Sequence, residues 1–209
     1  MQERPSQSRL SNAVHARALR AVPLLLAGGL ALSACADTAA VNRGDYSPGY
    51  RVSDLVHAGR DEGVPLTVLG DPFGTGDAAV TAATAERLQV PGWAPQVDFR
   101  PRRDGDSAWG VVLAFDPPLS TSPRQVCSAQ YTGELTTRSA PNPEADEGRL
   151  IAAFCNGGPI SSTRATVPTL SGVDDPAYRE LLSQISLTLF PPYNPDMRES
   201  DEERIRPSF

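Results

Sequence analysis

The chain has 209 residues, with 19 basic residues, all of them Arg, against 25 Asp and Glu, for a formal net charge of −6. An acidic chain is a poor fit to a phosphate backbone, which is bound through Lys/Arg patches, so no nucleic-acid partner is expected. Twenty Pro and 17 Gly call for many turns and irregular connections, and there is no internal repeat.

The first segment has the order of a secretory signal: a basic start, a short apolar core, then small residues at a cut site. Residues 1–20 carry Arg4, Arg9, Arg17 and Arg20 against one acid, Glu3, and residues 21–32 form an apolar run of 12. As a helix this run spans only ~18 Å against a ~30 Å hydrocarbon core, so it reads as a removable signal and not as a spanning helix. Leu32-Ser33-Ala34-Cys35 follows. This stretch resembles the lipobox of bacterial lipoproteins, in which a branched aliphatic residue and two small residues precede Cys. The resemblance implies that Cys35 takes a diacylglyceryl group on sulfur, that residues 1–34 are removed, and that the acylated Cys (palmitate or a similar chain) holds the protein to a membrane. Two or three acyl chains anchor firmly, whereas one binds only marginally. In Gram-negative lipoproteins an Asp after the Cys favours retention at the inner membrane. Ala36 in that place points to the outer membrane, with the domain facing the periplasm. The mature chain, residues 35–209, has 175 residues with 15 basic and 24 acidic side chains, a net charge of −9. That is the size of one domain with a real core.

Residues 35–50 are small and polar and read as a flexible tether. Residues 51–192 are expected to form the single periplasmic domain, and residues 193–209, charged and Pro-containing, a mobile tail. Within the domain, residues 51–62 suggest a short helix, with Ser53 as N-cap, Leu55, Val56 and Ala58 inward and Gly63 as stop. Residues 65–69 read as a short strand ended by Gly70-Asp71-Pro72. The turn from Gly70 to Asp77 is the only glycine-rich strand-to-helix connection. It has neither P-loop nor dinucleotide spacing, and Asp71 and Asp77 would repel a phosphate, so it reads as a turn leading into a capped helix over residues 77–89. Val97 and Phe99 alternate with polar neighbours over residues 96–100 between Pro95 and Pro101, which suits an edge strand. Asp104-Gly105-Asp106 marks a turn. Two carboxylates fall short of the oxygen count that Ca²⁺ needs.

Residues 108–115 are the most apolar run of the mature chain and read as a central strand. Residues 125–131 and 150–155 read as two further strands, which predicts an antiparallel meander. Residues 160–168 extend the sheet with Ser and Thr facing out. Asp175 as N-cap, Pro176 at the first helical position and the spacing of Tyr178, Leu181, Leu182, Ile185 and Leu189 predict a helix over residues 176–189. The fold class expected is therefore α+β: a small antiparallel sheet with the two main helices packed on one face.

With Cys35 lipidated, Cys127 and Cys155 remain, and two thiols in an exported domain pair. Each lies 14 residues from Pro141. A hairpin centred there would put them opposite each other, with Ala129 facing Ala153 and Tyr131 facing Ile151. Closing this loop stabilises by roughly 3–4 kcal/mol. Without C-x-x-C spacing, the pair reads as structural and not redox-active.

Catalytic chemistry has little to stand on. His57 is the only mature histidine and no G-x-S-x-G nucleophile elbow accompanies it. Asp54, His57 and Asp61 have helical spacing but read as a solvated face. No cofactor, metal-ligand set or catalytic residue is assigned. The expected function is a lipid-anchored envelope module, structural or interactive, whose partners are the membrane and another envelope protein. The alternatives are an envelope hydrolase using carboxylates or His57, or a small-ligand binder using a groove between helix and sheet. Replacement of Cys35 by Ala should release the protein from membranes, as read by fractionation. Continued retention of a chain cleaved elsewhere would overturn the lipoprotein reading.

Overall fold

The computed structural model describes residues 39–133, 135 and 147–197, so Cys35 and the Pro141 loop lie outside the described residues. The fold is α+β. Its strands are β1 (Ala40–Val41), β2 (Asp45–Tyr46), β3 (Val64–Leu69), β4 (Phe99–Pro101), β5 (Trp109–Phe115), β6 (Glu147–Asn156) and β7 (Pro159–Pro168); its helices are α1 (Asp54–Ala58), α2 (Asp77–Arg87), α3 (Pro123–Thr132) and α4 (Pro176–Leu189). The strands form one seven-stranded sheet in the order β1-β7-β6-β5-β3-β4, with β2 also on β7.

The sheet is larger than expected and mixed, not wholly antiparallel. β5, β6 and β7 are antiparallel neighbours, but β3 lies parallel to both β4 and β5. The expected edge strand is real: β4 closes one edge, shifted to Phe99–Pro101.

Alternation along the strands divides the core in two. Val111, Leu113 and Phe115 of β5 and Leu150, Ala152 and Phe154 of β6 face α2 and α4, joining Val80, Tyr178, Leu181, Ile185 and Leu189 in the main cluster. Both helices pack on one face, as expected. Phe154 sits at the centre, fully buried, with the rings of Trp109 and Phe190 each 5.5 Å away. The opposite face, with Val112, Ala114, Ile151, Ala153 and Cys155, is covered by Val126, Cys127 and Ala129 of α3.

Here the expected meander fails. Residues 125–131 are not a strand but most of α3. Ser122 and Gln125 form a capping box: the Ser122 N–H donates to Gln125 Oε1 at 2.8 Å and the Gln125 N–H to Ser122 Oγ at 3.3 Å. Pro123 takes the first turn, and Gly133 ends the helix in the left-handed region at φ 65°. Three local signals therefore agree on a helix. The Cys127–Cys155 disulfide is present, with Cα atoms 5.7 Å apart, but it ties α3 to β6 across the sheet face and does not join two strands. The opposed pairs Ala129/Ala153 and Tyr131/Ile151 do not form; Ala153 lies between Val112 and Ser162, and Ile151 between Ala114 and Arg164.

Part of the expected tether belongs to the fold. Ala40 pairs with Thr166 and Val41 with Ala165, then Asp45 with Ser162 and Tyr46 with Ser161. This strap covers the β7 edge, whose backbone groups would otherwise be an open template for pairing. The same cover explains why Ser161, Ser162 and Thr163 are buried instead of facing out. Ser161 Oγ donates to Leu189 O and Thr163 Oγ1 to Asn42 O, both at 2.8 Å. The tail begins ordered as well: Asn194 Nδ2 donates to Ser47 O at 2.9 Å, and Asp196 pairs with Arg43 at 3.1 Å. Helix α1 is shorter than expected, ending at Ala58 with Gly59 as C-cap; Leu55 and Ala58 are buried, while Val56 is exposed.

A bridge between α3 and β6 across a separation of 28 residues should contribute roughly 3–4 kcal/mol. The Cys127→Ala/Cys155→Ala chain should lose that amount in urea unfolding, and non-reducing peptide mapping should recover the two cysteines linked. Two free thiols and unchanged stability would contradict it.

Candidate functional site

The residues singled out by the sequence are not brought together. Cys35 lies outside the described residues. Cys127 and Cys155 are consumed by their bond, so neither is available to a metal. His57 is exposed on α1, with Nδ1 3.4 Å from Arg60 Nη2. Asp61 lies beyond the end of α1, so the supposed Asp54/His57/Asp61 helical face does not form. Among the described residues no group of three or more His, Cys, Asp or Glu is placed to hold a metal ion.

The glycine-rich turn supplies its own anion. Asp71 is buried at 2% exposure, and its carboxylate accepts the Phe73 N–H at 2.9 Å and the Gly76 N–H at the start of α2. The carboxylate takes the N–H of Gly76, the N-cap of α2, at the positive end of the helix, where an external anion would otherwise sit.

The Asp104/Asp106 turn is structural too. Arg100 grips Asp106 with both Nη atoms, at 2.8 and 2.7 Å, and the Arg103 N–H donates to the same carboxylate at 2.7 Å. Arg100 and Asp106 are 12% and 11% exposed. The Arg100 hydrogen bonds hold the Asp106 carboxyl at about 2, below the ordinary 3.8. Next to it, Arg102 threads under α3: Nη2 donates to Trp109 O at 2.6 Å and to Gln130 Oε1 at 2.7 Å, and the guanidinium lies 5.2 Å from the Tyr131 ring centroid. Burial lowers the Arg102 pKa. Gly110 leaves room for it, because a Cβ there would collide with the guanidinium and stand 2.9 Å from Pro65 O.

What sequence reading missed is a cleft at the opposite edge of the main core. Tyr50, Arg51, Val52, Pro192, Tyr193 and Met197 line about 420 Å³ between the end of the strap and the residues after α4. Tyr50 fixes its floor, its OH donating to Pro191 O at 2.8 Å, and beside the cleft Trp93 Nε1 donates to Phe190 O at 2.9 Å. Tyr46 packs edge-on against Tyr50 at 5.4 Å and donates to Thr188 O at 2.6 Å. Burial pushes both phenols up, so they remain neutral donors. Two large side chains that line the cleft face solvent, Tyr193 at 63% and Met197 at 49% exposure, and Trp93, beside Phe190, is 51% exposed. Beneath α2 and α4 the core is filled, with Val80, Tyr178, Leu181, Ile185 and Leu189 fully buried; the openings between the two helices are at the surface, one of about 630 Å³ beside Phe73, Ala83 and Pro176 and one of about 380 Å³ beside Arg87, Arg179 and Ser186.

Asp106 gives a pH signature. Its folded-state pKa lies below the unfolded value, so its pairing stabilises fully above about pH 4 and is lost as the pH falls through about 2. Arg100→Ala should lower the urea midpoint at pH 6, and the deficit relative to the parent chain should shrink between pH 4 and 2. A deficit independent of pH would contradict this pairing.

No helix among the described residues is long and apolar enough to cross a membrane. Comparison with protein-family models, with curated proteins and with solved structures finds no match to this chain.

Proposed function

We infer that this is a cell-envelope protein anchored through acylated Cys35, facing the periplasm, most simply at the outer membrane, and acting as a structural or protein-interaction module. The observation that carries the interaction role is the cleft at Tyr50 and Tyr193. Tyr, Trp and Met dominate the buried centres of protein interfaces, and Arg anchors them. Here Tyr193 and Met197 stand exposed in the cleft, with Trp93 exposed beside it at Phe190, over a floor fixed by Tyr50 and Pro191. A rigid aromatic floor limits the ordering cost of association. The partner that fits is another envelope protein presenting an apolar segment. Arg51, also lining the cleft, favours an acidic residue beside that segment.

A photo-crosslinking residue at Tyr193, in cells expressing the full chain, should yield one recurring adduct that is absent when the same residue replaces Asp104. Trp93→Ala should weaken recovery of that partner roughly tenfold or more, the scale of an aromatic hot spot. Recovery of the protein alone from both positions would refute the interaction reading.

A further inference from the structure

We propose that one end of the sheet is a lipid-contacting surface, on which Leu119 enters the headgroup layer and Arg149 and Arg164 face lipid phosphates. The proposal rests on the reading of Cys35 as the acylated residue. Its first support is chain length. Ala39 is already buried, and Ala40 and Val41 are fixed on β7 opposite Thr166 and Ala165. Four residue steps separate Cys35 from Ala39, and at 3.3–3.6 Å each they reach at most ~14 Å. The headgroup layer takes roughly 5–7 Å of that. The strap therefore holds its own end of the domain against the membrane surface.

The second support is what that end presents. Asn42, the residue directly after β1, lines a cavity of about 230 Å³ together with Pro118, Leu119, Arg149 and Arg164. Leu119 is 84% exposed, more than any other large hydrophobic residue described. It follows Pro117-Pro118, whose rings stiffen the loop. Arg149 Nη2 donates to Pro117 O at 2.9 Å and Arg164 Nη2 to Thr121 O at 3.0 Å, so each guanidinium braces one end of the loop and keeps further N–H groups for an outside acceptor. Neither has a carboxylate partner among the described residues. The nearby Asp116 turns Oδ1 onto the Arg149 N–H at 2.9 Å. An exposed apolar tip between two arginines, beside the point where the chain leaves for its anchor, matches an interfacial contact: apolar atoms enter the acyl boundary and cations stay at phosphate level.

The test uses the processed, lipidated full chain in vesicles of phosphatidylethanolamine and phosphatidylglycerol. With Cys35 acylated and Cys127 bonded to Cys155, Leu119→Cys supplies one free thiol for an environment-sensitive fluorophore, and Asp104→Cys supplies a control at the β4–β5 turn. The probe at position 119 should be blue-shifted, several-fold brighter than the control and quenched by lipids spin-labelled near the headgroup. The Arg149→Gln/Arg164→Gln chain should lose part of that gain. The mass of the N-terminal peptide reads the anchor separately. An unmodified Cys35 would overturn the anchor reading and the proposal with it, whereas an acylated Cys35 with a water-like spectrum at position 119 would overturn the lipid contact alone.

Discussion

Both faces of the β5–β6 ribbon are dry, and the rest of the molecule follows from that. The two strands pair from Trp109 opposite Asn156 to Phe115 opposite Leu150, and residues 110–115 and 150–155 are all buried. An alternating strand with one wet face would need helices on one side only. Here each face must be covered separately. The Phe154 face takes α2 and α4; Tyr178, Leu181, Leu182, Ile185 and Leu189 of α4 fill a deep layer, with Val80 and Ala85 of α2 beside them. Among the described residues the Cys155 face takes α3 and Leu135, with mostly small side chains such as Cys127 and Ala129 in the layer. A thin layer of small side chains gains less from burial than one built on Phe and Leu. The disulfide lies in that layer, adding a covalent tie where apolar burial is weakest.

The edges follow the same constraint. β4 is short and Pro-ended, a poor template for further pairing. The β7 edge is long, ten residues, and is closed by a strap from the chain's own start. That closure is locked at one end by side chains far apart in sequence. Tyr46 and Tyr50 reach the carbonyls of Thr188 and Pro191, and Asn194 and Asp196 return to Ser47 and Arg43. Buried phenols with raised pKa values keep their protons through the physiological range, so this lock does not depend on pH there. The cleft at Tyr193 is a by-product of the crossing, since its floor and walls come from the strap and from the chain after α4.

The legible parts of the sequence were those where one signal was strong and local. β3, β5 and β6, together with α2 and α4, could be read from apolar runs bounded by Gly and Pro, or from helical spacing behind a cap such as Asp175. The stretch from Gln125 to Tyr131 misled because apolar residues at 126, 127 and 129 suit either period over so few positions. The deciding information lay just upstream, in Ser122-Pro123 and Gln125. The equal spacing of the cysteines about Pro141 was a coincidence of number; the bond was legible, its geometry was not. The parallel pairing of β3 was hidden because no local pattern separates a parallel from an antiparallel neighbour in a short buried strand. The cleft was illegible for a different reason. Tyr50 and Tyr193 are 143 positions apart, and nothing in either neighbourhood announces the other. The strap looked like a tether because its side chains are small and polar, and it is ordered through the backbone groups of β7 instead.

Strand direction then gives the proposed roles a geometry. The strap runs antiparallel to β7, so the chain enters beside Thr166 and leaves beside Ser161. Five residues of strand separate these points by about 17 Å. The loop carrying Leu119 belongs to the first end, and Tyr50, Pro191 and Tyr193 to the second. A lipid at Cys35 and a partner at the aromatic cleft would therefore act at different ends of one rigid sheet. Under the proposed anchoring, the four residue steps from Cys35 to Ala39 would limit the height at which the cleft is presented. A longer, unpaired tether would leave that height undefined. Under that anchoring, pairing residues 40–46 to the edge of the sheet would serve stability and placement through the same hydrogen bonds.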